Sequence, residues 1–205
     1  MKKVEAKNYN FSNVKYFSPM QLSEHYVLYT RYIDCLNKVK EDLNADNVFY
    51  ICNPNYSEIR SIVVSKSFCY DAVKLHELYF ENLTGNNTRI HGPIETLIID
   101  IFGSYNNFIE KFKCISLSMR GWVSFCYDHY NDEFYIHGQD SHDNGVMLYS
   151  EPLIVLDVYE HAYMIDYGIN RGNYIDAFFA NLDYSVVNNR LSKLNFWKSC
   201  NRLKI

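Results

Sequence analysis

The sequence predicts an α+β chain. A long antiparallel helical hairpin fills the N-terminal half, and an α/β part with a small three-stranded antiparallel sheet follows. Three observations predict this. Apolar residues recur at steps of three and four over two long N-terminal segments, joined by a modest polar loop. The pattern changes near Trp122 to short β-prone runs separated by turn signals. Helical periodicity then returns from about residue 161 to the end. Residues 1–90 are read as the hairpin domain and residues 91–205 as the α/β domain.

The first helix starts at Ser18-Pro19-Met20-Gln21: Ser as N-cap, Pro at the first helical position, Gln closing a capping box. Leu22, Tyr26, Tyr29, Ile33, Leu36 and Val39 form its apolar face, which runs to about Leu43. Residues 44–57 are rich in Asn and read as a loop. The second helix is clearest over Ala72, Leu75, His76, Tyr79, Phe80 and Leu83, with Gly85 in the position of a C-terminal glycine cap. Polar residues from Asn86 to Gly92 mark the subdomain boundary. Two shorter helices are expected over about 93–102 and 105–116, separated by Gly103-Ser104. The strands are Trp122 to Tyr127, Glu133 to His137 and Leu153 to Val158, with a turn at Asp143-Asn144-Gly145. The C-terminal helical pattern breaks near Gly168 to Gly172.

Composition excludes several classes. A chain of 205 residues with 48 % hydrophobic and 17 % aromatic content can build a packed core. Nineteen Tyr with few Gly and Pro argue against disorder. A net charge of -4 gives no reason to expect nucleic acid. No apolar run approaches membrane-spanning length, and the N-terminus shows no secretory h-region, so a cytoplasmic location is expected. The six Cys are scattered with no CxxC, which suits reduced thiols.

The stretch LDVYEHAYMIDYG, Leu156 to Gly168, sets Asp157 and His161 four apart in an apolar segment. Burying either is costly without a partner. An ordinary ion pair, a metal site and an acid/base pair all satisfy that need. His25 on the first helix and His76 on the apolar stripe of the second would, taken singly, be ordinary helical histidines. Together with Asp157 and His161 they form a set of three imidazoles and one carboxylate drawn from three elements. Such a set suits Fe, Mn or Zn better than Ca or Mg. Composition and periodicity go no further.

At these residues the chain resembles the iron/manganese superoxide dismutases. FSPMQLSEHYVLYTRYIDCLNK is similar to the family's first-helix motif, VKLHELYFENL to its second, and DVYEHAYMIDY to its signature DVWEHAYYLDY. NRGNYIDAFFANLDYSVVNNRL fits its C-terminal helices. The resemblance implies that His25, His76, Asp157 and His161 bind one Fe or Mn ion per chain. It implies that superoxide is disproportionated to dioxygen and hydrogen peroxide by one-electron cycling of that metal. It further implies a homodimer, in which Glu160 reaches His161 of a second subunit.

The chain also departs from the family pattern. Tyr159 replaces a pocket Trp, and Met164 replaces a Tyr. Tyr29 stands where a second His is common, and that His normally bonds across the dimer to the Tyr now replaced by Met164. Leu28 replaces a frequent Lys. Arg120-Gly121-Trp122 keeps the pocket Trp of the usual SGW. With one residue fewer after His25, Tyr32 is the match for the gateway tyrosine and Tyr29 its rival. The outer-sphere Gln of iron types would sit at Ala72. That of manganese types would fall on His142 or Gln139, and an ungapped match back from Asp157 favours His142. Arg171 is a candidate for attracting superoxide. The altered Tyr29, Tyr159 and Met164 give weight to one alternative, a metal-binding homologue without turnover that acts as an interaction or structural protein; a second rival is a non-haem iron oxygenase, which a fourth protein ligand disfavours.

Overall fold

The computed structural model describes residues 2–44, 51–86 and 89–202, with side chains described as far as residue 194. Helix α1 spans Pro19–Asn44 and α2 spans Glu58–Asn82. They are followed by α3 (Pro93–Phe102) and α4 (Tyr105–Ser118). Strands β1 (Trp122–Asp128), β2 (Glu133–Gln139) and β3 (Ser150–Asp157) come next. A 3-10 turn at Glu160–Ala162 leads into α5 (Met164–Tyr167), α6 (Arg171–Asn181) and α7 (Tyr184–Arg202). The expected hairpin, the two middle helices, the three strands and the helical C-terminal part are all present. Residues 45–50 of the expected loop, residues 87 and 88 of the expected boundary, and the last three residues lie outside the described residues.

Ser18 caps α1, its hydroxyl accepting from the Gln21 amide N–H at 3.0 Å. The capping box does not close. The Gln21 side chain turns away to the 3-10 turn, and the Ser18 N–H it would have taken donates to Asp166 at 2.6 Å instead. A tertiary partner thus displaces a local one. Gly85 is not the cap of α2. Leu83 follows the helix with φ -101, and Gly85 lies two residues further on with φ +68, where a Cβ would fall 2.1 Å from the backbone of Asn13. The close approach of the N-terminal arm, together with the left-handed backbone, demands glycine there.

The sheet has the order β2-β1-β3, antiparallel throughout. Every residue of β1 is buried. Its register sets Trp122 opposite both Gln139 of β2 and Asp157 of β3. Gly121 makes this end of the sheet possible, since a Cβ there would lie 2.8 Å from the Gln139 carbonyl oxygen. β3 is an edge strand, and other elements cover it. Asn82 of α2 accepts from the Val155 N–H at 3.0 Å, and Arg190 of α7 donates to the Leu153 carbonyl at 2.8 Å. These bonds pin α2 and α7 to the strand that carries Asp157. One buried apolar cluster runs from Leu22 on α1 through Phe80 on α2 and the sheet to Leu194 on α7.

Candidate metal centre

Four side chains meet where the hairpin, the sheet end and the 3-10 turn converge. His25 lies on the buried face of α1, one turn from Leu22 and Tyr29. His76 lies on the buried face of α2 with Ala72 and Tyr79. Asp157 closes β3, and His161 follows in the turn. Ligand-capable atoms of the four all lie within 4.8 Å of one another. The Asp157 Oδ2 atom is their common neighbour, 3.2 Å from His25 Nε2, 3.7 Å from His76 Nε2 and 3.0 Å from His161 Nε2.

The surroundings fix these groups. Asp157 Oδ1 accepts from the Tyr159 N–H at 2.9 Å, which leaves Oδ2 turned to the imidazoles. Its main-chain carbonyl accepts from the Tyr174 hydroxyl at 2.5 Å. The Ala72 carbonyl lies 2.7 Å from His76 Nδ1, so that nitrogen must be the donor and Nε2 keeps its lone pair. His76 Nε2 is buried with no hydrogen-bond partner among the described residues. A buried, unprotonated nitrogen facing a carboxylate and two further imidazoles is what a metal ion would satisfy. The donor set of three nitrogens and one oxygen suits a transition metal such as iron, manganese or zinc.

Electrostatics point the same way. Burial opposes ionisation of Asp157, but the charge of His161 and hydrogen bonds with His161 and His25 outweigh it. The carboxyl is held well below its usual range. Burial pushes His25 down, with Asp157 only partly offsetting it. Burial and then the His25 charge push His76 further down. His161 is held above its ordinary value, because Asp157 outweighs the burial that opposes it. Anionic carboxylate and neutral imidazoles at His25 and His76 are the protonation states that ligation needs.

A family model described as iron/manganese superoxide dismutases, C-terminal domain, matches residues 90–190. A superoxide dismutase [Fe] of Aquifex pyrophilus is 36 % identical over 186 residues, covering 88 % of this chain and 87 % of that protein. The corresponding protein of Aquifex aeolicus is 35 % identical over the same length. A superoxide dismutase [Mn] of Halobacterium salinarum is 32 % identical over 120 residues, 58 % of this chain and 60 % of the relative. The chain belongs to the iron/manganese superoxide dismutase family.

For a superoxide dismutase fold, the second ring of residues carries several substitutions, and the structure places each. The Trp122 indole donates to His142 Nδ1 at 2.9 Å, and His142 Nε2 lies 3.1 Å from the Tyr32 hydroxyl. His142 is 1 % exposed. Burial lowers its pKa to about 4, against the pull of Asp157. Gln139 turns back on its own loop, its amide donating to the Ser141 and His142 carbonyls at 2.8 and 2.9 Å. Tyr29 is fully buried and donates to Glu77 at 3.0 Å while accepting from the Lys7 N–H at 3.1 Å, so its hydroxyl faces away from His142. Tyr159 stacks on His161 with ring centroids 5.2 Å apart. Arg171 donates to the Met119 carbonyl at 2.7 Å and to the Tyr163 hydroxyl at 3.2 Å, fastening the start of α6 to the end of α4. Glu160, Met164 and Ile165 are exposed.

Gln21 is the residue that sequence reading misassigned. Its amide N–H donates to the His161 carbonyl at 2.7 Å and its carbonyl accepts from the Ile165 N–H at 3.0 Å, at 1 % exposure. The first turn of α1 thereby clasps the turn that carries His161. One signal pointed that way: Gln21 stands four residues before His25, on the same helix face.

Proposed function

We propose that the protein is a superoxide dismutase, converting two superoxide ions and two protons into dioxygen and hydrogen peroxide. The observation that carries this reading is the convergence of His25, His76, Asp157 and His161 within 4.8 Å in a chain of this family. A bound Fe or Mn ion supplies one-electron cycling between its trivalent and divalent states. His25, His76 and His161 would hold it through Nε2 and Asp157 through Oδ2.

The other residues handle protons and access. The indole N–H of Trp122 can only donate, so His142 Nδ1 must accept and the ring proton sits on Nε2. His142 then donates to the Tyr32 oxygen, and the Tyr32 proton is free to point toward the site. Burial and the Asp157 charge push the Tyr32 phenol up to about 12, so it keeps that proton at neutral pH. Tyr32 is assigned as the gateway and His142 as the outer-sphere residue. Gln139 holds the loop that presents His142.

A homodimer through Glu160 and His161 forms part of the same reading. It is supported by the exposed Glu160 beside a part-exposed His161, and by uncovered Met164 and Ile165. An antioxidant role in the cytoplasm is proposed with it, and the free thiols of Cys35, Cys69, Cys114 and Cys126 fit a reducing compartment. The test is metal analysis paired with superoxide decay on separately iron-loaded and manganese-loaded protein. Metal-dependent clearance is expected. A protein that holds one ion per chain but leaves superoxide decay at the uncatalysed rate would be a structural or interaction protein instead.

A further inference from the structure

Outside the metal centre, α1 and α2 each carry a cysteine, and the two meet. In this antiparallel hairpin His25 packs on Phe80 at 5.0 Å and Tyr29 on His76 at 6.3 Å between ring centroids. Each turn up α1 therefore faces one turn further down α2, and Cys35 comes to face Cys69. Tyr32 on α1 packs on Phe68 on α2 with ring centroids 6.1 Å apart, which brings the two cysteine-bearing turns together, and Cys35 is the neighbour that acts on the Cys69 thiol. Cys69 is 3 % exposed, Cys35 is half-buried, and neither is in a disulfide. Their neighbours matter for function. Tyr32 precedes Cys35 by one turn and Phe68 precedes Cys69 directly. Tyr32 and Phe68 both pack on His142, at 4.9 and 4.7 Å.

We propose that Cys35 and Cys69 form an oxidisable dithiol whose disulfide fastens α1 to α2 beside Tyr32 and His142 and slows turnover when hydrogen peroxide accumulates. Cys35, the more open thiol, attacks peroxide. A sulfur–oxygen bond forms, the O–O bond breaks and one water leaves. The Cys69 sulfur then attacks the Cys35 sulfur, an S–S bond forms, the S–O bond breaks and a second water leaves. Two thiols lose two protons and two electrons, and one peroxide becomes two waters. Burial disfavours the Cys69 thiolate and shields it from solvent, so Cys35 rather than Cys69 is the thiol that meets peroxide first. The source of peroxide and the turnover that the disulfide slows rest on the dismutase reading; the dithiol itself does not.

The manganese-loaded protein is treated with hydrogen peroxide and examined by intact mass, peptide mapping and superoxide clearance. The expected result is a loss of two hydrogen masses, a Cys35–Cys69 linked peptide and a fall in clearance that dithiothreitol reverses. Cys35→Ser and Cys69→Ser should each keep metal and basal clearance but lose the reversible response. Oxygen addition at Cys35 without a link, a link between other cysteines, or, in protein that clears superoxide before treatment, a link that leaves clearance unchanged would overturn the proposal. The mass and mapping measurements decide the dithiol whether or not the protein clears superoxide, so the two readings fail separately.

Discussion

The indole N–H of Trp122 donates to Nδ1 of His142 at 2.9 Å, and this bond decides which nitrogen of the imidazole carries the proton. The consequence is testable. Trp122→Phe leaves His142 Nδ1 buried without a partner, at a cost of about 1–3 kcal/mol, and frees the ring to change tautomer. His142→Gln keeps both ends of the chain, since an amide can accept from Trp122 and donate to Tyr32. The Gln variant should therefore hold its metal while its reduction potential, and the relative activity of its Fe and Mn forms, shift. Gln139→Ala should move the potential much less. The reverse ranking in redox titration would make Gln139 the outer-sphere residue.

Acid should expose the same residue in metal-free protein. His142 is held at about 4 when folded, against about 6.5 for a free imidazole. Between those values the unfolded chain binds a proton that the folded one refuses. Its neutral burial thus costs nothing above 6.5 and destabilises the fold as pH falls, by about 1.4 kcal/mol per unit inside the window. Urea midpoints at pH 7 and pH 5 should fall further in wild type than in His142→Gln. Equal losses would refute this.

Removing a ligand should remove the metal. His76→Ala deletes the nitrogen that the Ala72 carbonyl leaves free for ligation, and occupancy should fall together with activity. Metal should also stabilise the fold, by about 1.4 kcal/mol for each tenfold excess over its dissociation constant. A His76→Ala protein with full occupancy by elemental analysis would sink the ligand assignment.

Gln21 tests the clasp between the two ligand-bearing segments. Gln21→Leu strands the His161 carbonyl and the Ile165 N–H, and each unpaired group should cost about 1–3 kcal/mol. Metal should leave faster, and the visible spectrum of the oxidised holoprotein should change because His161 is no longer held against α1. A variant with a lower melting temperature but an unchanged spectrum and metal off-rate would show a purely structural bond.

Glu160→Ala should loosen the proposed dimer. Removing one side of a buried charged hydrogen bond between subunits costs roughly 2–5 kcal/mol. Sedimentation should show dissociation at lower dilution than for wild type. An active wild-type monomer at assay concentration would end the proposal.

Much of this was legible in the chain itself. The hairpin was readable because apolar spacing along α1 and α2 reports the buried face directly, and Ser18 and Pro19 announce a helix start. The candidate ligand cluster was readable because a His on each apolar stripe and an Asp–His pair in an apolar strand end are polar groups that burial would penalise unless something bound them. The order of the three motifs then carried the family. Composition excluded a membrane-spanning helix, and none of the described helices is long and apolar enough to cross a membrane.

What the sequence could not decide was partner choice. Gln21 reads as a capping box because its local partner, the Ser18 N–H, is three residues away. The His161 carbonyl, 140 positions distant, takes it instead. Tyr29 and Tyr32 are both one turn from plausible roles, and only the packing of α2 sends the first to Glu77 and the second to His142. Gln139 and His142 differ by three positions in one loop, and the sheet register turns one back on the backbone and the other toward Trp122. Periodicity specifies which face of an element is buried. Which of two polar side chains on that face meets a distant donor depends on the relative placement of helices and strands, and that is set by long-range packing rather than by local spacing.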